Sequence, residues 1–473
     1  MVQKSNTVDK AEINSIFEAQ KAHQYTVANT SAKERIQKLN QLQDAVLKYR
    51  QEIREALYQD MHKPESEVDM TEVYAITGKV KHARRNLRRW MAKQDVGTPL
   101  SLLGSSSWIQ YEPKGVCLII SPWNFPLQLT FGPLISAIAA GNTAIIKPSE
   151  HTPHIAVVMQ KIVEEIFDTN EVALFQGGVE TAQALLHLPF NHLFFTGSPA
   201  VGKIVMAAAA QNLASVTLEL GGKSPTIIDE TANLNTTVSR LAVGKFVNNG
   251  QVCLAPDYIF VHESKKQRFL ELLPKKLQDF YGKNAANSKD YSRIVNNNHF
   301  KRVKSYIEKA ISQGARVVTG GQTDSEQNFI EPTVLTDVPM DSDMMQNEIF
   351  GPVLPVYGYQ NLQEVIDLIN SREKPLALYI YSNNKKNIRH ILKNTRAGGT
   401  CINNNDVHFY NHNLPFGGSN NSGIGKSHGW FGFEAFSNAR AVYKQNMPGA
   451  IDFLTPPFDK LKKRLIEWTI RWF

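Results

Sequence analysis

Short apolar runs at 115–120, 143–146, 172–175, 192–195 and 215–218 alternate with segments of helical length at 127–140, 153–166, 181–186 and 200–210. Strands that are apolar on both faces and joined by helices predict a parallel sheet covered on either side. This is a doubly wound α/β unit, whose ligands sit at the carboxyl ends of its strands. A second alternation follows residue 219, with strands near 226–228, 258–261, 376–381 and 399–402 and helices near 236–247, 266–280, 362–369 and 386–392. Two α/β domains are therefore expected, as the 473 residues also suggest, since one core rarely organises so long a chain.

The first ninety-odd residues read differently. Ile36, Leu39, Leu42, Val46 and Leu47 recur at helical spacing in a charge-rich background, which predicts surface helices packed on a later domain. A turn-rich stretch, Gly97-Thr-Pro-Leu-Ser-Leu-Leu-Gly-Ser-Ser-Ser107, leads into Trp108-Ile-Gln-Tyr-Glu112, read as one arm of a protruding hairpin that bridges domains.

Composition excludes several classes. The net charge of +8 comes from Lys and Arg interleaved with Asp and Glu, a solvated basic surface rather than a nucleic-acid footprint. Three scattered cysteines provide neither a disulfide framework nor a zinc site, so no metal is expected and a reducing, cytoplasmic setting is. Met1–Lys10 lacks the apolar stretch of a secretory signal, and no run is long enough to span a bilayer.

Against that frame the chemistry-bearing segments stand out. Cys253 lies in Phe246-Val-Asn-Asn-Gly-Gln-Val-Cys253-Leu-Ala-Pro-Asp257, and Glu219 opens Glu219-Leu220-Gly221-Gly-Lys-Ser-Pro225 at the junction of the two α/β units. A lone cysteine is usually core, but paired with a carboxylate at a cleft it becomes a candidate nucleophile with a base. Phe195-Thr-Gly197-Ser198-Pro-Ala-Val-Gly202-Lys203 follows a strand and opens a helix, where backbone amides hold phosphate, or serves only as a packing turn. It is not a P-loop, because Ile204 stands where a magnesium-binding hydroxyl is needed. Ser121-Pro-Trp123-Asn124-Phe-Pro126 ends the first sheet strand, so the Asn124 amide is either an oxyanion donor or part of a structural turn. Lys147-Pro-Ser149-Glu150 ends the next strand with a cation and a carboxylate that either hold a ribose or pair with each other. Glu348-Ile-Phe350-Gly-Pro repeats the pattern of acid, aromatic and glycine turn.

Taken in order with Pro415-Phe-Gly-Gly418, these segments resemble the motif set of the NAD(P)-dependent aldehyde dehydrogenase superfamily along nearly the whole chain. The short N-terminal region and Cys253-Leu-Ala-Pro-Asp257 are similar to its class 3 branch of fatty and aromatic aldehyde dehydrogenases. The resemblance implies an aldehyde dehydrogenase-like α/β fold. A Rossmann-like cofactor domain would span 1–95 and 116–218 and a catalytic domain 219–402. Bridging and oligomerisation elements would be 96–115 and 403–455, with an amphipathic tail at 456–473. It implies Cys253 as nucleophile, Asn124 as oxyanion donor and Glu219 as the base that hydrolyses a thioester. It further implies a cofactor held by Trp123, Lys147, Ser149, Glu150, Gly197, Ser198, Gly202, Leu220, Gly221, Glu348 and Phe350. NAD is expected over NADP because Glu150 repels a 2′-phosphate. The expected substrate is an apolar aldehyde (medium- or long-chain, aromatic or polyene), and the expected assembly a homodimer.

Two other outcomes stay open: transfer of the acyl group to coenzyme A, which the presence of Glu219 opposes, and a non-enzymatic protein that keeps the fold, which intact Cys253, Glu219 and Asn124 oppose. His428, Trp430, Phe431 and Phe433 either line a substrate entrance or close the core. In the tail, Leu461, Leu465, Trp468 and Trp472 share one helical face with Lys460, Lys463, Arg464 and Arg471 largely off it. That suits an interfacial helix on a membrane, or docking on the protein's own or a partner's surface.

Overall fold

The computed structural model describes residues 9–472. Most of the segment read for a secretion signal, and the last residue of the tail, lie outside the described residues.

The first sheet has six strands in the order Gly423–Ile424, Ser215–Leu220, His192–Gly197, Val116–Ile120, Thr143–Lys147 and Val172–Leu174. All its neighbours are parallel except the first pair. The order reverses between Val116–Ile120 and His192–Gly197, which puts a ligand crevice beyond their carboxyl ends. Expected and observed strands agree to within two residues. Val116–Ile120 and Thr143–Lys147 are buried along their whole length, as a sheet covered on both faces requires.

The second sheet runs Arg316–Thr319, Thr333–Thr336, Val353–Tyr359, Tyr258–His262, Pro225–Ile228, Ala377–Tyr381 and Gly399–Ile402, parallel except for its first pair. Its strands at 316–319, 333–336 and 353–359, and the Asn297–Ser312 helix, were not anticipated. Arg316–Thr319 is a half-exposed edge strand, and Val353–Tyr359 follows directly on a glycine turn that masks its start. The chain leaves the carboxyl edge of the first sheet at Leu220 and enters the amino edge of the second at Pro225, so the two edges face each other across a short crossover.

The N-terminal helices Ala32–Lys48 and Tyr74–Met91 pack on Pro126–Ala140 of the first domain. Leu39, Leu42 and Val46 are fully buried there, each worth roughly 1.5–3 kcal/mol of burial. Leu47 departs from the expected apolar face and is exposed. The expected hairpin arm at Trp108 forms as part of Ser105–Pro113, but its long partner is Ser437–Gln445, joined over nine residue pairs; the local strand Gln94–Val96 adds only three. The tail forms the helix Lys460–Trp472, in which no residue is buried.

Candidate active site

The turn that carries Cys253 is over-determined. Asn248 and Asn249 both take left-handed backbone (φ 51° and 56°), an uncommon conformation that persists only under surrounding constraint. The constraints are identifiable. The Glu67 carboxylate accepts the Asn248 N–H at 2.9 Å, Asn248 Nδ2 donates to the Asn124 carbonyl at 2.8 Å, and Asn249 Nδ2 donates to the Ser292 carbonyl. Gln251 Nε2 donates to the carbonyls of Asn248 and Arg293, while its Oε1 accepts the Val295 N–H. Gly250 (φ 70°) sits where a Cβ would lie 2.3 Å from the Gly351 carbonyl oxygen, so only glycine fits. Asn124 meets the same turn: its Nδ2 donates to the Gln251 carbonyl at 3.1 Å, leaving one N–H of the amide for another acceptor.

Cys253 and Glu219 line one cavity of about 110 Å³. Its other walls are mostly apolar and aromatic, including Phe125, Leu129, Val247, Phe409 and Phe416. Glu219 Oε1 accepts the Ser427 hydroxyl at 2.7 Å, and Oε2 is buried with no partner among the described residues. Burial pushes the Glu219 carboxyl up to about 7, opposed by the Ser427 hydrogen bond and by the charges of Lys426 and Lys79. Burial also pushes the Cys253 thiol up, and the carboxylates of Glu348, Glu219 and Asp406 push the same way. The resting thiol is thus protonated at neutral pH and needs a base or a cation to become nucleophilic.

The remaining expected residues fall along the facing sheet edges. Lys147 Nζ and Glu150 Oε2 pair at 2.6 Å, and Ser149 Oγ accepts the His151 N–H. Ser198 caps the Pro199–Gln211 helix through the Val201 N–H. Gly202 faces Leu220 at a distance that a Cβ would close to 2.7 Å, so its missing side chain serves helix–strand packing. A Cβ on Gly221 would meet Glu348 Oε2 at 2.1 Å, which sets the second domain's carboxylate directly against the crossover. Burial first, then Asp257, pushes the Glu348 carboxyl up to about 8. The Trp123 ring lies between His299 and Phe350, edge-on to the latter at 5.4 Å.

Sequence reasoning missed the residues that brace this arrangement. Asp257 accepts the Ile349 N–H at 3.1 Å and pairs with Lys223, which also donates to the carbonyls of Met344 and Asn347. One ion pair therefore ties the Glu219, Cys253 and Glu348 segments together. Lys63 and Glu72 form a fully buried pair, and Glu72 accepts the Gln128 N–H just after Asn124. Nothing local marks them: Lys63 sits in a loop and Glu72 on a short helical segment, both in a charge-rich stretch. Of the aromatic segment, Phe433 is core and Trp430 packs on Trp90 and Tyr111, whereas His428 lines the cavity.

The aldehyde dehydrogenase family model matches residues 1–442. The 4,4'-diaponeurosporen-aldehyde dehydrogenase of Staphylococcus aureus is 47% identical over 407 residues, covering 86% of this chain and 88% of that protein. Aldehyde dehydrogenase family 3 member A2 of Rattus norvegicus is 41% identical over 415 residues, covering 88% and 85%. The solved Staphylococcus aureus AldH in its substrate-bound state matches with a TM-score of 0.92 and 43% identity, covering 97% of this chain and 99% of that one. The expected family, fold class and NAD(P)-dependent chemistry therefore hold. The chain belongs to the aldehyde dehydrogenase family, and it is an enzyme that oxidises an aldehyde to the acid with NAD(P).

Proposed function

We propose that the chain oxidises an apolar, extended aldehyde, with Cys253 as nucleophile, Asn124 as oxyanion donor and Glu219 as general base. The observation that carries this reading is the shared cavity: Cys253 and Glu219 line one space whose other walls are mainly hydrocarbon and aromatic. The Staphylococcus aureus relative is named for a polyene aldehyde, which suits such walls.

In this reading the Cys253 thiol gives its proton to water, the thiolate sulfur adds to the aldehyde carbon, and the free N–H of the Asn124 amide receives the oxyanion. A single donor of that kind contributes roughly a hundred- to a thousandfold in rate. NAD(P), when bound, supplies the hydride acceptor. The acyl group then remains on Cys253 as a thioester, and Glu219 takes a proton from the water that attacks it. Water as the acceptor sets this apart from transfer to coenzyme A. The cleft fits the cofactor because any Cβ on Gly221 would close it against Glu348. Trp123 and Phe350 would flank the nicotinamide end with Glu348, Leu220 and Gly221. Gly197, Ser198 and the start of the Pro199–Gln211 helix would face the pyrophosphate with Gly202 behind them, and Lys147, Ser149 and Glu150 would face the adenosine ribose. NAD is favoured over NADP, since the Lys147 contact keeps the Glu150 carboxylate at that edge.

The assembly is a homodimer in this reading. Gly399–Ile402 and Ser437–Gln445 each end a sheet, and their outer edges carry backbone groups that pair with nothing among the described residues. The three-stranded sheet of Gln94–Val96, Ser105–Pro113 and Ser437–Gln445 serves as the bridging and oligomerisation element between the cofactor and catalytic domains. No helix of the described residues is long and apolar enough to cross a membrane. The Lys460–Trp472 helix exposes Leu461, Leu465, Ile470 and Trp472 beside a run of lysines and arginines, which suits peripheral contact of a cytoplasmic enzyme with an anionic bilayer. Flotation with anionic vesicles should lose the protein when the chain ends at Pro456; equal flotation would remove the tail from the account. The substrate reading is tested by NADH production across short, long, aromatic and polyene aldehydes with Cys253→Ser as blank. Preference for short polar aldehydes would defeat it.

A further inference from the structure

Part of the cavity wall has no role in the chemistry described so far. Beside Glu219 it is lined by Lys79, His82, His412 and His428. Lys79 is 8% exposed and has no hydrogen bond or ion pair among the described residues; its ammonium lies 4.9 Å from the Phe409 ring centroid. Room for it comes from Gly132, where a Cβ would sit 2.6 Å from Nζ. His428 is 6% exposed and stacks on Phe416 at 4.8 Å, and its Nδ1 has no partner. Nδ1 of His412 is likewise buried without a partner. The rings step outward: 6.0 Å separates the centroids of His428 and His412, and 5.5 Å those of His412 and His82, the last two being only half-buried. At the inner end is Glu219 Oε2, buried and also without a partner.

An ammonium, two imidazole nitrogens and a carboxylate oxygen, all unsatisfied along one cavity, are too costly to leave bare, and ordered water is the usual partner of such groups. The cavity has room for several water molecules. We propose that Lys79, His428, His412 and His82, linked by water, form the route by which the proton taken up by Glu219 leaves for solvent. This rests on Glu219 being the general base.

The balance is simple. One O–H bond of the attacking water breaks, its oxygen bonds to the thioester carbon, and the proton goes to the Glu219 carboxylate. The C–S bond breaks with its electron pair left on Cys253. Glu219 then gives the proton to the water beside Lys79, and it is handed from donor to acceptor until it leaves at the His412 and His82 rim, with no change of oxidation state. The groups suit the task. Burial lowers Lys79 to about 8 against the pull of Glu219, so its amine form is accessible near neutral pH. Burial, with the Lys79 charge, also keeps His412 and His428 neutral, each with one donor and one acceptor nitrogen. In this route Lys79 acts on the reaction through Glu219 and the water between them, as a positioning residue.

The test is a single turnover with enzyme in excess over a long-chain aldehyde and NAD⁺, following NADH for acyl formation and quenched acid for hydrolysis. In Lys79→Met, acid release should fall about tenfold while NADH formation stays within about twofold, and added imidazole should restore acid release. Gly132→Ala, which displaces the ammonium without removing its charge, should slow acid release in the same sense. Lys79→Arg, charged but unable to give up its proton, should not recover it. Acid release at the wild-type rate in Lys79→Met and Gly132→Ala overturns the proposal, as does parallel slowing of both steps or full recovery in Lys79→Arg. Glu219→Gln separates the two readings: if it releases acid normally, the general base is misassigned; if it is blocked while Lys79→Met is not, only the proton route fails.

Discussion

Ser427→Ala removes the one hydrogen bond that the Glu219 carboxylate receives among the described residues, and its consequence follows from the geometry. Oε1 accepts the Ser427 hydroxyl at 2.7 Å and Oε2 has no partner, so the variant leaves both oxygens bare in a buried site. A hydrogen bond to a charged group contributes about 1.5–3 kcal/mol, and one pKa unit corresponds to about 1.4 kcal/mol. Because the bond favours the charged form, its loss raises the carboxyl, which burial already holds at about 7, by roughly one to two units. At pH 7 the ionised fraction then drops from about one half to between a tenth and a hundredth, so thioester hydrolysis slows roughly five- to fiftyfold. The assay is acid release in a single turnover from about pH 6 to about pH 10, a range that spans the buried carboxyl and its displaced position. The rising limb should move to higher pH while its plateau is kept, and the first NADH should form at the wild-type rate. An unmoved limb, or one displaced to lower pH, would refute the view that Ser427 sets the charge of Glu219.

Other outcomes follow from the braces. Glu67→Ala leaves the Asn248 N–H buried and unpaired, a cost of about 1–3 kcal/mol, and should lower the reactivity of Cys253 toward iodoacetamide together with turnover; Glu67→Gln, which keeps an acceptor, should restore both. Burial raises Glu67 to about 7, so its contribution to stability is full below its unfolded value near 4.5 and is lost as pH rises through about 7. Urea midpoints of wild type and Glu67→Gln should therefore diverge in favour of the variant as pH rises from about 4.5 to about 7 and then keep a constant gap, and curves parallel across that window would contradict this. Gly221→Ala drives a Cβ to 2.1 Å from Glu348 Oε2 and should raise the KM for NAD⁺ about tenfold or more with the aldehyde KM little changed, as initial rates will show. Glu150→Gln removes the charge that opposes a 2′-phosphate, and the ratio of NADP⁺ to NAD⁺ kcat/KM should rise.

Cys253, Glu219 and the alternating strands were legible because each leaves a local mark: a thiol in a polar glycine turn, an acid between two domains, an apolar run of strand length. The braces leave none. Glu67 and Asn248 are 181 residues apart in sequence, and Asp257 reaches Ile349 across 92. Lys63, in the loop after the Arg50–Met61 helix, and Glu72, on the short helical segment Asp69–Val73, look like solvent-facing charges until that segment is packed against Pro126–Ala140. Ser105–Pro113 reads as a local hairpin arm because its partner, Ser437–Gln445, comes after both α/β domains. Arg316–Thr319 escapes notice because an antiparallel edge strand need not be apolar on both faces.

The most direct test of the central claim is the intact mass of Glu219→Gln after mixing with a long-chain aldehyde and NAD⁺. The account predicts an acyl adduct that maps to the peptide containing Cys253 and is absent from the Cys253→Ser form of the same variant. An adduct that persists in Cys253→Ser, or free acid released with no adduct at all, would contradict it.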